Sequence, residues 1–302
     1  MQMDGQRESS NVEDRRSQGG GGMPGGVSFG RGGVGIGTIV IAFIAAWIFG
    51  INPFTVISML GGGGAVVSAP APQQQRAPSG QPQPQATDPA AVFVRQVLGS
   101  TEDVWRAQMR AAGKPYRDPK LVVFRGATRT ACGLGQSAMG PFYCPGDETV
   151  YLDLNFFDTM KRRLNSPGDF AAAYVVAHEV GHHVQQQLGI TQQVDSMRGR
   201  TSETQMNALS VRVELMADCL AGVWAHNSQK SAGWRLEDGD IEEALNAAAQ
   251  IGDDNMQRQS GGMVVPESFT HGTSQQRMSW LKRGLQTGDM RTCMETFQSG
   301  RL

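Results

Sequence analysis

The chain has 302 residues and a formal net charge of −1, which allows one or two domains with a substantial core. The near-neutral balance gives no reason to expect nucleic acid as a partner, and we predict none. These averages hide strong segmentation, because Gly-rich, apolar and Pro-rich stretches follow one another in the N-terminal third.

The first 33 residues are polar and rich in glycine, with a GGGGMPGG run and no apolar periodicity. A segment of this composition buries too little apolar surface to offset its ordering entropy. We therefore predict a disordered N-terminal tail over residues 1–33.

An uncharged apolar stretch follows over residues 32–60, and its part at 34–57 can supply the roughly 20 residues that span a bilayer as a helix. The alternative is a cleaved signal peptide, but the stretch is longer than the usual apolar region of one and begins well inside the chain. We predict an uncleaved, single-pass transmembrane helix over residues 34–57.

Basic residues near this stretch indicate its orientation. Four arginines precede the stretch, namely Arg7, Arg15, Arg16 and Arg31, whereas only Arg76 lies near its far end. The positive-inside rule then predicts a cytoplasmic N-terminus and a main domain on the other side of the membrane.

Residues 58–88 are rich in Gly, Pro and Gln and predict a linker, so the folded domain is expected at 89–302. All the cysteines lie in that domain, namely Cys132, Cys144, Cys219 and Cys293. An even number in an exported domain predicts two disulfides. Four cysteines allow three pairings, and the sequence does not choose among them.

Patterning within the domain predicts a small sheet and a mainly helical body, which is the α+β class. Strands are expected at 120–128 and 149–157. Helices are expected at 89–113, 202–226, 239–251, 274–286 and 289–299. A further helix carries the sequence AHEVGHHVQQQ; Ser166 would cap it, Pro167 and Asp169 would complete its first turn, and Gly189 would end it.

Residues 178–182 of that helix read His-Glu-Val-Gly-His and match the H-E-x-x-H motif. Residues four apart lie on the same face of a helix, so His178 and His182 can share one Zn²⁺. Glu179 lies beside them and can reach a water on the metal, which makes it the candidate general base.

A zinc hydrolase usually has a third protein ligand. The metzincin pattern would need glycine and histidine at two positions that hold Gln185 and Leu188, which excludes that branch. Glu214 is the candidate instead, because it lies in the otherwise apolar stretch VRVELMADCLAGVWA, where a carboxylate is costly unless paired. Asp218, one turn later, is expected to hydrogen-bond a ligand histidine.

The other polar candidates are weaker. His183 points about 100° away from His182 around the helix and is expected to be a neighbour of the site or a surface residue. His226 ends the predicted Glu214 helix, where a cation is favourable in any protein. His271, in a loop before a helix, is a candidate for stabilising an oxyanion, against an ordinary loop histidine. Arg277 could do the same or form an ion pair, and Tyr143 and Tyr174 could also donate.

Together the segments GPFYCPGDETVYLD, HEVGHHVQ, ELMADCLAGVWA and FTHGTSQQRMSW resemble the bacterial putative neutral zinc metallopeptidase family. The resemblance implies a membrane-anchored, gluzincin-like protein with a zincin fold. It also implies that His178, His182 and Glu214 bind one catalytic Zn²⁺ and that Glu179 is the base. The location expected is then the bacterial inner membrane, with a periplasmic catalytic domain.

The function predicted is zinc-dependent hydrolysis of peptide bonds in protein or peptide substrates, with TVYLDL, residues 149–154, offering a strand edge to the substrate. Two alternatives stay open: a membrane-tethered binding or regulatory module with the same fold, and a metal hydrolase acting on another bond. The presence of Glu179 favours an enzyme, since a binding module has no need of that carboxylate.

Overall fold

The structure is a computed structural model, and it describes residues 1–3, 5–17, 88–137, 140–163, 168–231 and 234–299. The predicted transmembrane helix at 34–57 lies outside these residues, as does the predicted linker up to residue 87. Among the helices that the structure does describe, none combines the length and the apolar character needed to cross a membrane.

Six strands and nine α-helices occur in the described part of the chain. The strands are β1 (Val12–Asp14), β2 (Lys120–Phe124), β3 (Ala127–Thr130), β4 (Gly133–Gln136), β5 (Phe142–Cys144) and β6 (Thr149–Asp153). The helices are α1 (Pro89–Ala111), α2 (Asn155–Arg163), α3 (Asp169–Gln187), α4 (Ile190–Met197), α5 (Glu203–Ser231), α6 (Asp240–Gln250), α7 (Asp253–Gln259), α8 (Ser274–Thr287) and α9 (Met290–Ser299). The α+β prediction is confirmed.

Four of the strands form one sheet in the order β1-β2-β6-β5. Strands β1, β2 and β6 are parallel, whereas β5 runs antiparallel to β6. Strand β6 therefore lies inside the sheet, and the prediction that TVYLDL offers an edge is wrong. The strand at that end of the sheet is β5, which also contacts the motif helix α3.

Both predicted strands are shorter in the structure than in the prediction. The first ends at Phe124, because Gly126 adopts a left-handed conformation with φ of 78° and turns the chain into the β3–β4 hairpin. The second ends at Asp153, whose carboxylate accepts the backbone N–H of Asn155 at 2.9 Å at the start of α2. A disulfide between Cys132 and Cys144 joins the hairpin to the end of β5.

The motif helix α3 begins later than the capping pattern predicts. Gly168 occupies the cap position, with extended backbone angles and no side-chain cap bond, and Asp169 is the first helical residue. The predicted start of the helix is therefore wrong, and the proposed Ser166 cap lies outside the described residues. The end is confirmed: Gly189 follows the helix with φ of 81°.

Helix α5 runs through the middle of the domain and packs against α3 and α8. It crosses α8 at very small separation, because a Cβ on Gly222 would lie 2.2 Å from the carbonyl oxygen of Leu281, and one on Gly284 1.9 Å from that of Cys219. A second disulfide, Cys219–Cys293, ties α5 to α9. The two predicted disulfides are therefore present, and the fold selects their pairing.

The N-terminal residues are part of this fold. Strand β1 extends the sheet, with Val12 opposite Leu121, and the α-amino group of Met1 lies 2.8 Å from a carboxylate oxygen of Asp169. The prediction of disorder is wrong for residues 1–3 and 5–17, because the Gly-rich run that dominates the composition of 1–33 begins only after them. Strand pairing and ion pairs offset their ordering entropy.

Candidate metal centre

Two helices bring the three candidate ligands together. His178 and His182 lie one turn apart on α3, and Glu214 lies on α5, which crosses the same face. The crossing is close because Gly181 has no side chain: a Cβ there would lie 3.1 Å from the carbonyl oxygen of Ala217. The glycine inside the H-E-x-x-H motif thus allows the glutamate helix to approach the histidines.

The ligand atoms converge on one point. One atom each from His178, His182 and Glu214 lies within 4.8 Å of the others. The Nε2 atom of His178 is 3.2 Å from Glu214 Oε2, and Nε2 of His182 is 3.6 Å from Glu214 Oε1. When ligand atoms surround a zinc ion tetrahedrally at the usual metal–ligand distance, they lie about 3.3 Å from one another. Two imidazoles and a carboxylate at the observed spacing therefore fit Zn²⁺.

Asp218 fixes the orientation of His178 from behind. Its Oδ1 accepts from His178 Nδ1 at 2.8 Å and from the hydroxyl of Tyr174 at 2.6 Å, while its Oδ2 accepts from Arg277 Nε at 2.8 Å. All of these side chains are buried. The proton on Nδ1 leaves Nε2 of His178 as the metal-binding nitrogen, which is the arrangement expected of a ligand histidine and its carboxylate.

Gln185 holds His182 in the corresponding way. Its Oε1 accepts from His182 Nδ1 at 2.9 Å, and its own amide donates to the carbonyl of Val213 on α5 at 2.6 Å. In the sequence this residue served only to exclude the metzincin pattern. Its spacing of three from His182 on a helix was the signal that could have identified it.

Glu179 is a buried carboxylate beside the ligands. Within the described part of the chain it accepts no hydrogen bond, although only 7% of its surface is exposed. Burial raises the pKa of Glu179 above its ordinary value, and the neighbouring histidines only partly oppose this effect. A carboxylate with a raised pKa is suited to accept a proton and return it near neutral pH.

Electrostatics at the centre favour a cation. Burial alone would make protonation of His178 harder, but Asp218 and Glu214 outweigh it and raise the pKa of His178 to about 9. Burial opposes ionisation of Glu214 as well, yet His182 and His178 hold its pKa well below the usual range. Glu214 and Asp218 thus stay ionised despite burial and attract positive charge.

His271 lies in the loop before α8, and a buried aspartate fixes it. Its Nδ1 is 3.1 Å from Asp253 Oδ1, and the other oxygen of Asp253 accepts the backbone N–H groups of Thr270, His271 and Gly272. Burial opposes protonation, but Asp253 and Glu214 raise the pKa of His271. Its Nε2 is buried without a hydrogen-bond partner in the described structure.

Most of the remaining candidates have other partners. Arg277 is committed to Asp218, which is the ion-pair alternative, and Tyr174 donates to the same aspartate.

His183 is fully buried rather than on the surface; its Nε2 bonds the carbonyl of Arg117, and its Nδ1 bonds the Tyr143 hydroxyl. His226 lies inside α5, whose end is at Ser231, and bonds the carbonyl of Leu285 at 2.7 Å.

The chain matches a known protein family over nearly its whole length. The family model for "Putative neutral zinc metallopeptidase" aligns with residues 1–297. The chain belongs to this family. The membership confirms the family predicted from the motifs, and it implies zinc as the cofactor of the centre.

Bacterial proteins are similar in sequence to this metallopeptidase family member over much of its length. The uncharacterised protein YpfJ of Escherichia coli K12 is 50% identical over 297 residues, which are 97% of this chain and 98% of the relative. The uncharacterised protein Rv2575 of Mycobacterium tuberculosis H37Rv is 42% identical over 214 residues, 67% of this chain and 69% of the relative. No solved structure matches the chain.

Proposed function

We propose that the protein is a zinc-dependent peptidase that hydrolyses peptide bonds in protein or peptide substrates. The observation that carries the proposal is the convergence of the ligand atoms of His178, His182 and Glu214 within 4.8 Å, with the buried carboxylate of Glu179 beside them. Family membership supports it, because the family is described as a zinc metallopeptidase.

His178, His182 and Glu214 would hold one zinc ion. When bound, zinc lowers the pKa of its water towards about 7 and polarises the scissile carbonyl. The carboxylate of Glu179 would accept a proton from the attacking water and return it to the leaving amine, a role for which its raised pKa suits it. Asp218 and Gln185 keep the two imidazoles in the orientation that binding requires.

His271 is the proposed donor to the negative oxygen that develops on the attacked carbonyl. Its Nε2 has no partner in the described structure, and its Nδ1 is fixed by Asp253. The next residue, Gly272, lies against the helix that carries Glu214, because a Cβ on it would be 3.4 Å from a methyl carbon of Leu215. A preorganised donor in a water-excluded site is among the largest contributions to such reactions.

Strand β5 is the proposed binding edge for an extended peptide. It lies at the end of the sheet next to α3, and Tyr143 on it contacts His183 of the motif helix. A substrate strand added to this edge would run past the ligand helix, in the manner of β-strand addition. The Cys132–Cys144 disulfide keeps this strand attached to the β3–β4 hairpin.

The cell envelope is the proposed place of action. Two disulfides indicate an oxidising compartment, and the uncharged stretch at 34–57 supports attachment to a membrane.

The test compares wild type with Glu179→Gln, using bound zinc and cleavage of an unstructured protein as the two measurements. We expect both forms to hold one zinc ion, and Glu179→Gln to lose roughly 100- to 10,000-fold in cleavage rate. Glu242→Gln, an exposed glutamate on α6, is the matched control and is expected to cleave normally. Equal cleavage by wild type and Glu179→Gln would overturn the catalytic proposal, and zinc retained without any cleavage in wild type would favour the tethered binding module.

A further inference from the structure

The N-terminal segment, defined here as residues 5–17, occupies a site that the domain provides for it. Glu102 of α1 is only 1% exposed, and its carboxylate accepts from Ser9 Oγ at 2.5 Å, Asn11 Nδ2 at 2.8 Å and Arg7 Nη2 at 2.8 Å. Those three donors all come from the segment. Without these donors, the Glu102 carboxylate would be a buried charge with few hydrogen bonds, and burying such a charge costs free energy.

Gly99 of α1 gives a second, independent sign of this fit. Glycine is among the least favourable residues inside a helix, yet Gly99 lies in the middle of α1. A Cβ there would lie 2.6 Å from the carbonyl oxygen of Arg7 and 3.3 Å from the backbone nitrogen of Ser9. The missing side chain is the space in which the backbone of the N-terminal segment lies.

Backbone pairing continues the attachment along β2. The N–H of Leu121 donates to the carbonyl of Asn11 at 3.0 Å, and the N–H of Arg15 donates to the carbonyl of Val123 at 2.7 Å. Strand β1 lies between these bonds as a parallel edge strand. The segment thus completes the sheet that also carries β5 at its other end.

The two ends of the intervening chain lie side by side. Arg16 forms an ion pair with Asp88, the residue that caps α1 by accepting the N–H of Ala90 at 3.0 Å, and Arg16 also binds Asp14. The described residues on the two sides of positions 18–87 are therefore held next to each other by this ion pair.

We infer that residues 5–17 and the domain from Asp88 onward lie on the same side of the membrane to which the proposed function attaches this protein. A chain whose two ends are held together crosses a bilayer an even number of times or not at all. The single-pass arrangement predicted from the arginines, with the N-terminus and the domain on opposite sides, is incompatible with the pairing of β1 and β2.

A two-sided arrangement would require the whole attachment to be undone. Strand β1 would leave β2, Glu102 would lose Arg7, Ser9 and Asn11, and Asp88 would lose Arg16. Buried polar groups that lose their partners cost more than their hydrogen bonds contributed. The inference concerns topology alone and does not depend on the proposed peptidase activity.

The first test labels single cysteines in spheroplasts with a membrane-impermeant maleimide. Ser10→Cys reports on the segment and Ser196→Cys on the domain; both serines are exposed, and the four native cysteines are in disulfides. We expect the two variants to react alike, either both before or both only after detergent is added. Reaction of one without the other in intact spheroplasts overturns the inference.

The second test measures the attachment in purified full-length protein. A specific protease site inserted after Arg76 is cut, and residues 1–76 are then held to the rest by contacts alone. We expect the two fragments to co-elute in detergent, Gly99→Val to release the N-terminal fragment, and Gly262→Val, at a glycine whose Cβ would have no neighbour within 3.4 Å, to retain it. Separation of the fragments in the parent protein would contradict the inference.

Discussion

Arg277 and Asp218 form a two-point ion pair beneath the metal centre. The guanidinium donates through Nε to Oδ2 and through Nη2 to Oδ1 of Asp218, both at 2.8 Å, and Asp218 in turn accepts from His178. Both side chains are fully buried. The orientation of a ligand histidine therefore depends on a residue of α8, far along the chain.

Replacing Arg277 by methionine is expected to destabilise the protein strongly. The change leaves Asp218 as a buried charge without its cation, for which the loss in free energy of unfolding is about 3–5 kcal/mol. Denaturant unfolding measures this loss. Arg283→Met on the same helix is the control, since its exposed pair with Glu295 contributes about 0–1 kcal/mol. Equal losses in the two variants would contradict the assignment.

Gln185→Ala is expected to weaken zinc binding without unfolding the domain. His182 would lose the acceptor of its Nδ1 proton, and changes of this kind typically lower metal affinity about 10- to 100-fold. Competition with a chelator measures the affinity. Gln192→Ala, an exposed residue of α4, should leave the affinity unchanged. An unaltered affinity in Gln185→Ala would show that His182 needs no such support.

His271→Ala is expected to lower kcat by roughly 100- to 1,000-fold while zinc remains bound, as for the loss of an oxyanion donor. Asp253→Asn should act in the same direction, because Asp253 positions the ring through Nδ1 and three backbone N–H groups. The two changes together should cost less than the product of their separate effects, since they act as one unit. Loss of zinc from His271→Ala would instead indicate a ligand role.

Gly284→Ala should reverse the usual effect of such a change. Alanine in place of glycine inside a helix normally stabilises it by about 1 kcal/mol. Here the new Cβ would lie 1.9 Å from the carbonyl oxygen of Cys219, so we expect a loss of about 1–3 kcal/mol or more. Thermal unfolding measures it, with Gly262→Ala as the control, since a Cβ there would have no neighbour closer than 3.5 Å. A stabilised Gly284→Ala would mean that α5 and α8 are not so closely packed.

The two disulfides are expected to contribute unequally. Cys219–Cys293 closes a sequence separation of 74 residues and Cys132–Cys144 one of 12, and the longer loop loses more entropy when it is cross-linked. Serine replacement of each pair, followed by denaturant unfolding, compares them. We expect a loss of about 2–5 kcal/mol for the Cys219–Cys293 pair and a smaller one for the other. The reverse order would show that the hairpin beside β5 depends on its bridge more than the helical body does.

The predictable part of the candidate site lies where spacing along one helix determines geometry. His178 and His182 are four residues apart, so their place on one face follows from the helical repeat. Glu214 and Asp218 were identifiable because carboxylates in an apolar stretch need partners. Gln185 and Asp253 were not identified from the sequence. Gln185 is a common polar residue on the same helix as the ligand histidines, and Asp253 comes into contact with His271 only when the chain folds.

The strands show the limits of local patterns. Apolar and β-branched residues predict β2 and β6, but their ends are set by Gly126 and by the Asp153 carboxylate, which act through backbone angle and a single hydrogen bond. The three-residue strands β1 and β5 carry too few residues for an alternation to be visible. The edge strand beside α3 is selected by pairing between segments that are distant in sequence. No periodicity in the sequence predicts that pairing.

The sequence by itself determined the family, the α+β class, the ligand motif and the presence of two disulfides, because each rests on residue types at short spacing or on composition. Only the tertiary structure decided the cysteine pairing, the support of each ligand histidine and the place of β6 inside the sheet. It also decided that residues 5–17 belong to the domain, since their partners Glu102, Leu121 and Asp88 follow after more than 70 intervening positions. Contacts between residues so far apart in sequence form only when the chain packs, so no local sequence pattern predicts which residues will meet.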